Sequence, residues 1–287
     1  MEDWIKAGKI ASEAREYGKD LIKVGVSHFE VTEKIESKIL ELGGELAFPT
    51  QISVNNIAAH YNALLGNDFN FKEGDVCKLD LGVHINGAIG DTAVTVDLGN
   101  NSKLVNASKD ALNAALDIVK PGVKVSEIGR VIHETITSAG FSPIRNLGGH
   151  GLERWQIHTA PSIPNFDNGD KTLLRENDII AIEPFASNGV GLVQNGKPSE
   201  LYHIEQIKAI REPNARKILK FASNKYKTLP FAKRSLPFNR LQLLVGLRAL
   251  KKEGLFYEYD ILPERKDNSL VSQHEHTLIV GGVITTK

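Results

Sequence analysis

Two aspartates lie within a stretch that otherwise has the pattern of a buried β-hairpin, KLDLGVHINGAIGDTAVTV at residues 78–96. Asn86-Gly87 predicts a type I′ turn, because both central positions of that turn need a positive φ. With this turn as the loop, the strand register places Asp80 and Asp91 on one face as diagonal neighbours. Two unpaired carboxylates at that spacing would repel each other, and one would have to take up a proton. A divalent cation removes this conflict; the alternative is that backbone N–H groups or a nearby lysine satisfy each aspartate at a strand end.

Echoes within the chain predict two related halves. The segment DLIKVGV at 20–26 returns as DIVKPGV at 117–123, and GDVCKLDLG at 74–82 returns as NDIIAIEPF at 177–185. Each heptapeptide lies between two amphipathic helix patterns, which cover residues 5–22 and 31–44 in the first half and 105–119 and 125–140 in the second. Two such halves, each of two helices followed by antiparallel strands, can face each other across a pseudo-twofold axis, so that their acidic residues meet.

The repeat adds further residues with metal-binding chemistry. Glu183 has the position in the second half that Asp80 has in the first. His150 lies between glycines in NLGGHGL, where a permissive backbone can aim the ring, and alternation in the strand SQHEHTLIV places Glu275 on the face opposite its two neighbouring histidines. Four carboxylates and one imidazole suit two divalent ions of the Mn, Fe, Co or Zn kind that share bridging carboxylates. A zinc finger is excluded, because the chain has a single cysteine.

The composition is that of an ordinary globular protein. The 287 residues are enough for one large domain or two modest ones, and 35 basic residues balance 35 acidic ones. A formal net charge of zero gives no overall argument for a nucleic-acid or membrane partner. The N-terminus lacks the apolar core of a signal peptide, and no segment approaches the ~18 apolar residues of a membrane span. We therefore expect a cytoplasmic protein in which the single cysteine, Cys77, is a small buried hydrophobic residue.

The motifs resemble those of a known family. The five ligand-type residues match, in order and spacing, the dinuclear site of the pita-bread metallopeptidases: Asp80, Asp91, His150, Glu183 and Glu275. Further segments resemble the type 2 methionine aminopeptidase family in its short archaeal form: FPTQISVNNIAAHYNA at 48–63, IRNLGGHG at 144–151, QIHTAPSIP at 156–164, AIEPFASNG at 181–189 and HEHTLIV at 274–280. The resemblance covers nearly the whole chain. It implies an α+β pita-bread fold with duplicated halves around a curved antiparallel sheet, a catalytic domain of residues 1–195 and 259–287, and a helical insertion at 196–258.

The resemblance also implies a role for each ligand of two divalent ions, which the sequence does not identify among Co, Mn, Fe and Zn. Asp80 would chelate one ion with both oxygens. Asp91 and Glu275 would bridge the two ions, and His150 and Glu183 would complete the second.

Catalysis and substrate binding are assigned in the same way. The resemblance places His60 near the scissile amide and the departing amine, and His158 at the substrate carbonyl, where it would stabilise the tetrahedral intermediate. Glu183 is the candidate for moving a proton to the leaving amine, because it is both a ligand and the carboxylate of the second half. The residues implied to bind the substrate are Phe48, His60, Ile157, His158, Phe185 and Tyr259. The sequence leaves open whether Leu201 or His203 takes a further position in the methionine pocket.

The implied activity is removal of the N-terminal methionine from nascent proteins and peptides when the next residue is small, by a cytoplasmic monomer. Two alternatives stay open. A Xaa-Pro-directed peptidase of the same fold usually has a large N-terminal domain, whereas here the catalytic helices begin almost at Met1. Loss of a ligand would favour a metal-free binding protein on the same scaffold, but all five are present.

The segment before the last strand is longer than a hairpin needs. Residues 213–257 predict two helices, NARKILKFASNKY and NRLQLLVGLRALKKEGLF, separated by Pro230 and Pro237. The stretch from Lys208 to Lys252 contains 13 Lys and Arg residues and one acidic residue, a net charge of +12. This charge predicts either a solvated helical face or a contact with ribosomal RNA or another polyanion.

Overall fold

The structure is a computed structural model that describes residues 1–66 and 68–287. Each half of the chain contributes two helices followed by antiparallel strands, as the internal repeat predicts. The first half contains α1 (Glu2–Leu21), α2 (His28–Glu41), β1 (Glu45–Val54), β2 (Ile57–Ala59), β3 (Val76–Ile85) and β4 (Ala88–Asp97). The second half contains α3 (Ser102–Ile118), α4 (Val125–Ser138), β5 (Ser142–Pro143), β6 (Gly148–Glu153), β7 (Gln156–Pro164), β8 (Ile179–Ile182) and β9 (Phe185–Ser187). The remaining elements are β10 (Pro198–Ile204), α5 (Pro213–Lys225), β11 (Phe231–Ala232), α6 (Arg240–Lys252), β12 (Phe256–Asp260), β13 (Leu262–Pro263), β14 (Val271–Gln273) and β15 (Glu275–Ile279).

Seven strands from both halves form one antiparallel sheet in the order β1-β3-β4-β15-β8-β6-β7. The β3–β4 hairpin turns at Asn86-Gly87, both with positive φ, and pairs Asp80 with Ala93, the register that this turn predicts. Strand β15 pairs with β4 of the first half and with β8 of the second. The last strand of the chain therefore joins the two halves in the middle of the sheet.

The helices pack against one face of this sheet. On α1, Ile10 and Ala14 lie one helical turn apart and belong to the same apolar cluster as Leu79 and Leu81 of β3. A second apolar cluster joins α3 and α4 to strands of the second half. Because side chains alternate along a strand, Asp80 points away from the helices, to the other face. That face is therefore available for polar groups from both halves.

The segments 177–185 and 272–280 are each interrupted, and for SQHEHTLIV this corrects the expectation of one continuous strand. The segment 177–185 forms β8 and β9 on either side of Glu183 and Pro184, and 272–280 forms β14 and β15 on either side of His274. Pro184 has no N–H for a ladder, and its carbonyl accepts a hydrogen bond from the backbone N–H of His274 at 3.4 Å. Strands β14 and β9 then pair with each other in a small separate sheet with β5. Both segments therefore pass from one sheet to another beside an acidic residue, Glu183 in the first and Glu275 in the second.

The segment between β9 and β13 contains a three-stranded sheet in the order β11-β10-β12, with α5 and α6 beside it. These elements share an apolar cluster that includes Ile218, Phe231 and Leu250. The predicted second helix is too long, since it extends to residue 256, whereas α6 ends at Lys252. Gly254 has a left-handed φ of 63°, which ends the helix before strand β12 begins.

The structure also bears on a membrane span and on the single cysteine. No helix in residues 1–66 and 68–287 is long and apolar enough to cross a membrane. Cys77 is buried in β3 within an apolar cluster, where burial raises the pKa of its thiol to about 12. The thiol therefore stays protonated and acts as a small hydrophobic side chain, as expected.

Candidate active site

A cavity of about 510 Å³ lies where the two halves meet. Residues that are far apart in sequence line it, and among them are all those that the sequence predicts for metal binding, catalysis and substrate binding: Phe48, His60, Asp80, Asp91, His150, Ile157, His158, Glu183, Phe185, Tyr259 and Glu275. Asp80 and Asp91 come from the first half, and Glu183 comes from the second. The fold therefore brings every predicted site residue to one cavity.

Strand pairing sets the positions of three of the acids. Ala93 of β4 pairs with Asp80 on one side and with Glu275 on the other, so that both carboxylates flank the same small residue. The backbone of Asp91 is fixed by Thr277 of β15. The hydroxyl of Thr277 accepts a hydrogen bond from the Asp91 N–H at 2.9 Å and donates one to the Asp91 carbonyl at 2.8 Å. These acids are held by the centre of the sheet rather than by mobile loops.

His150 lies on β6 between two glycines that allow close strand packing. A Cβ at Gly149 would lie 2.1 Å from the carbonyl oxygen of Ala181, and one at Gly151 would lie 2.1 Å from that of Ala160. Neither glycine has a positive φ, so their function here is close approach and not the backbone freedom that the sequence suggests. With its proton on Nδ1, His150 donates to the carbonyl of Gly151 at 3.2 Å, and Nε2 is left to face the carboxylates.

The ligand-type side chains converge around this imidazole. Asp91, His150 and Glu275 each offer an atom within 4.8 Å of the others. Nε2 of His150 lies 3.8 Å from Oδ2 of Asp91 and 3.8 Å from Oε1 of Glu183. Burial lowers the pKa of His150 to about 4, so the ring is neutral and Nε2 carries a lone pair. A neutral imidazole among carboxylates is a set of donors for a metal and not a set of ion pairs.

The buried acids are unfavourable as free anions. Burial raises the pKa of Asp80 to about 7, although a hydrogen bond from Gln273 opposes the rise. Burial and then the charges of neighbouring carboxylates raise the pKa values of Asp91, Glu183 and Glu275 well above the ordinary range. Within the described part of the chain, Oδ1 of Asp80 and Oδ1 of Asp91 are buried without a hydrogen-bond partner. These residues fit a divalent metal ion, which supplies both the missing positive charge and a partner for the free oxygens.

Two further imidazoles lie beside this cluster. His60 has a left-handed φ of 65°; its backbone N–H donates to Oε1 of Gln51 at 2.7 Å, and its Nδ1 lies 3.0 Å from the carbonyl oxygen of Asp260. The ring of His158 meets that of His150 edge to face, with centroids 4.5 Å apart. Burial lowers the pKa of both His60 and His158, to about 3 for His158, where the neighbouring imidazoles add to the effect. Both rings are therefore neutral near pH 7. His158 can offer one N–H to a substrate, whereas the proton of His60 is donated from Nδ1 to the Asp260 carbonyl, which leaves Nε2 of His60 as an acceptor.

An apolar wall completes the cavity. The predicted pocket residues Phe48, Ile157, Phe185 and Tyr259 all reach it. Gly82 of β3 makes room for the aromatic ring of Phe48, because a Cβ at Gly82 would lie 2.2 Å from that ring. A cavity that is polar at one end and apolar at the other suits a substrate with a hydrophobic side chain next to a reactive amide.

Leu201 and His203 of β10 differ in what they contact. Leu201 lines the cavity, whereas His203 packs against the rings of Tyr257 and Tyr259 and makes a hydrogen bond to Glu205 at 2.9 Å. The register of β10 against β12 shifts in this region, and a shift of this kind turns a neighbouring side chain towards a new direction. Leu201 is thus the residue that the β10 strand contributes to the wall.

The residues at the site that the sequence predictions miss include Gln51, Pro230 and Gln273. Pro230 lines the cavity from the loop between α5 and β11, and no local pattern indicates that this loop reaches the site. Gln273 could have been predicted from the sequence, because it lies two residues before Glu275 and strand alternation can place both side chains on one face.

The chain is similar in both sequence and fold to known peptidases. Residues 2–213 match the model of metallopeptidase family M24. The methionine aminopeptidase of Methanocaldococcus jannaschii is 46% identical over 100% of this chain and 98% of its own length, and that of Archaeoglobus fulgidus is 47% identical over 100% and 98%. The crystal structure of the methionine aminopeptidase from Thermotoga maritima superposes with a TM-score of 0.72 at 25% identity, covering 100% of this chain and 96% of that one. The family and the pita-bread fold that the motifs predict are thereby confirmed, and the chain belongs to metallopeptidase family M24 and, within it, to the methionine aminopeptidases.

Proposed function

We propose that the protein hydrolyses the peptide bond after an N-terminal methionine, in peptides and nascent proteins, when the next residue is small. The observation that carries this proposal is the meeting of a buried carboxylate–imidazole cluster and an apolar wall in one cavity. The cluster suits amide hydrolysis, and the wall suits an unbranched thioether side chain. The full-length relatives named methionine aminopeptidase support the same activity.

The cluster is proposed to hold two divalent ions. Asp80 would bind one ion, His150 and Glu183 the other, and Asp91 and Glu275 both. The central positions of Asp91 and Glu275 support their bridging role. Asp91 lies within reach of His150, and only Ala93 of β4 separates Glu275 from Asp80 across the sheet. When bound, such ions lower the pKa of a coordinated water and polarise the scissile carbonyl near neutral pH. The donor set accepts Mn, Fe, Co or Zn.

Three side chains are proposed to act on the substrate. Glu183 carries a proton to the leaving amine, a role supported by its position in the cavity, where its Oε1 lies 3.8 Å from Nε2 of His150. His158 donates a hydrogen bond to the substrate carbonyl as negative charge develops there, and its neutral ring is a donor at no cost of reorganisation. His60 orients the scissile amide from the position that Gln51 and Asp260 impose on it.

The apolar wall is proposed to bind the methionine side chain. Phe48, Ile157, Phe185 and Tyr259 offer contacts to an unbranched chain, and Leu201 and Pro230 extend the same surface. A pocket of this kind discriminates by about 1–3 kcal/mol per methylene, so selection of methionine over close isosteres is finite.

Peptide hydrolysis tests this proposal. Metal-free protein is incubated with Met-Ala-Ser, norleucine-Ala-Ser, Met-Glu-Ser and an Xaa-Pro tripeptide, before and after addition of Mn, Co, Fe or Zn. We expect metal-dependent cleavage of Met-Ala-Ser, slower cleavage of the norleucine peptide and negligible cleavage of the other two. A preference for the Xaa-Pro peptide would instead support the prolidase-like alternative. Absence of both metal binding and peptide hydrolysis would support the metal-free binding protein.

We further propose that residues 196–258 form a helical insertion subdomain on a catalytic domain of residues 1–195 and 259–287. The separate apolar cluster of this segment supports the division. Arg234 would fix its orientation, because it makes ion pairs with Glu33 and Glu36 of α2, each at 2.5 Å. We expect the protein to act as a monomer, in the cytoplasm where nascent chains are made.

The basic charge of this subdomain is proposed to contact the ribosome. On α5, Arg216, Lys217 and Lys220 are exposed and form no ion pair within residues 1–66 and 68–287. Lys227 differs from them, since its ammonium lies 3.4 Å from the centre of the Trp155 ring. Reversing Lys217 and Lys220 to Glu should weaken co-sedimentation with ribosomes while tripeptide hydrolysis is unchanged, and binding by the unmodified protein should fall steeply with salt. Ribosome binding that is absent or independent of salt would mean that these basic residues form only a solvated helical face.

A further inference from the structure

One buried amide lies between the acids of the two halves. Gln273 is 1% exposed, and its Nε2 donates to Oδ2 of Asp80 at 3.1 Å and to Oε2 of Glu183 at 3.3 Å. Asp80 comes from the first half of the chain and Glu183 from the second. The two hydrogens of a single NH₂ group are thus directed at one carboxylate from each half.

The backbone of Gln273 is held firmly in place. Its N–H donates to the hydroxyl of Thr95 on β4 at 2.8 Å, and the same hydroxyl donates to the Gln273 carbonyl at 2.6 Å. The side chain therefore starts from a fixed point at the end of β14, and its rotamer is selected by the two carboxylates. Its Oε1 is buried without a hydrogen-bond partner in the described residues, so the bonds to the acids alone orient the amide.

We propose that Gln273 is a positioning residue that sets the carboxylates of Asp80 and Glu183 at the distance and orientation needed to bind two metal ions. This inference rests on the proposed function, in which these two acids bind different ions. Each carboxylate has two oxygens. The hydrogen bond from Gln273 to one oxygen fixes the direction in which the second oxygen of that carboxylate points. A ligand oriented by an outer hydrogen bond loses less freedom when the metal binds, and such partners typically change metal affinity by about 10–100-fold.

An amide is suited to this position for a second reason. A carboxylate here would add a fifth negative charge to a buried cluster, and a cationic side chain would compete with the metal for the same oxygens. A neutral donor of two hydrogens orients both acids without either effect. The proposal thus explains why a residue of this chemistry lies between ligands of both halves.

Metal binding measured without substrate tests the proposal. Metal-free protein is titrated with Mn²⁺ alone by calorimetry, and Co²⁺ absorption provides a second measurement. Gln273→Met keeps the length of the side chain and removes both donors. Gln273→Asn keeps a buried amide but is one methylene too short to reach both acids, so it serves if the apolar variant folds poorly. Circular dichroism and thermal unfolding of the metal-free proteins establish that each variant is folded.

The matched control is Gln51→Met, the same substitution at a buried glutamine that lines the cavity. The amide oxygen of Gln51 accepts a hydrogen bond from the backbone N–H of His60. Unlike Gln273, Gln51 therefore serves as an acceptor for the backbone and not as a donor to the acids. We expect both Gln273 variants to bind Mn²⁺ about 10–100-fold more weakly than the unmodified protein, and Gln51→Met to bind within about threefold of it. Unchanged affinity in the folded Gln273 variants, or an equal loss in Gln51→Met, would overturn the inference. Failure of the unmodified protein to bind metal would overturn the proposed function itself.

Discussion

Removal of the metal should reveal how strongly the carboxylate cluster opposes folding, and Asp80 allows the size of the effect to be calculated. Burial raises the pKa of Asp80 from 3.8 to about 7. Each pKa unit corresponds to about 1.4 kcal/mol, so ionisation of Asp80 destabilises the folded metal-free protein by about 4 kcal/mol. An acid with a raised pKa in the folded state gives its full stability below its unfolded pKa, and this is lost as the pH rises through the folded pKa. The loss attributable to Asp80 therefore falls between about pH 4 and pH 7.

The comparison that isolates this effect is metal-free wild type against metal-free Asp80→Asn. Buried histidines act in the opposite sense, because burial lowers their pKa values, to about 3 for His274 and about 4 for His28. Stability from these histidines is lost as the pH falls, but they are common to both proteins and cancel in the difference. Free energies of unfolding are measured by urea denaturation in the presence of a chelator from about pH 4 to pH 8.

We expect the metal-free Asp80→Asn variant to be more stable than wild type by up to about 4 kcal/mol at about pH 8, with the difference shrinking as the pH approaches 4. Saturating Mn²⁺ should reverse the order, because wild type gains metal-binding energy that the variant lacks. A difference that does not change with pH, or a metal-free wild type as stable as the variant at pH 8, would refute the electrostatic reasoning.

Three further substitutions separate metal binding, catalysis and packing. Glu275→Ala should abolish turnover and leave clearly less than two ions per chain by metal analysis, because it removes a bridging ligand; full occupancy with normal activity would contradict the dinuclear site. His158→Ala should lower kcat by about 10²–10³-fold with metal content intact, since its role is transition-state stabilisation; loss of metal would mean that this histidine is a ligand. Gly149→Ala places a Cβ 2.1 Å from the carbonyl oxygen of Ala181, so the strands must move apart. We expect it to reduce stability by about 1–3 kcal/mol and to weaken metal binding at His150, and unchanged thermal unfolding would show that the strands adjust freely.

The β3–β4 hairpin shows which structural features local sequence patterns can predict. An Asn-Gly pair specifies its turn through the φ angles that the turn requires, and the two-residue period of a strand then fixes which side chains share a face. Both rules act over a few residues, so the register of Asp80 and Asp91 could be predicted from the sequence. The positions of the helices that frame each half follow from amphipathic spacing in the same way.

Other features depend on parts of the chain that are distant in sequence. The sequence predicts SQHEHTLIV as one strand, because apolar alternation does not indicate where a strand leaves one sheet for another, as happens here at His274. The glycines beside His150 were predicted to supply backbone freedom, whereas the carbonyl oxygens of neighbouring strands are what exclude a side chain there. In each case the deciding contact comes from another strand.

The sequence by itself determined the family, the five ligand-type residues and the two-halved fold, because these rest on short motifs, on spacing and on a repeat within the chain. Only the tertiary structure decided that Leu201 and Pro230 reach the apolar wall and that Gln273 joins acids of both halves. It also decided the pKa values of the acids, which shift because four carboxylates are buried together. Burial and electrostatic repulsion are properties of neighbourhoods in space, and the chain assembles those neighbourhoods only when its two halves fold against each other.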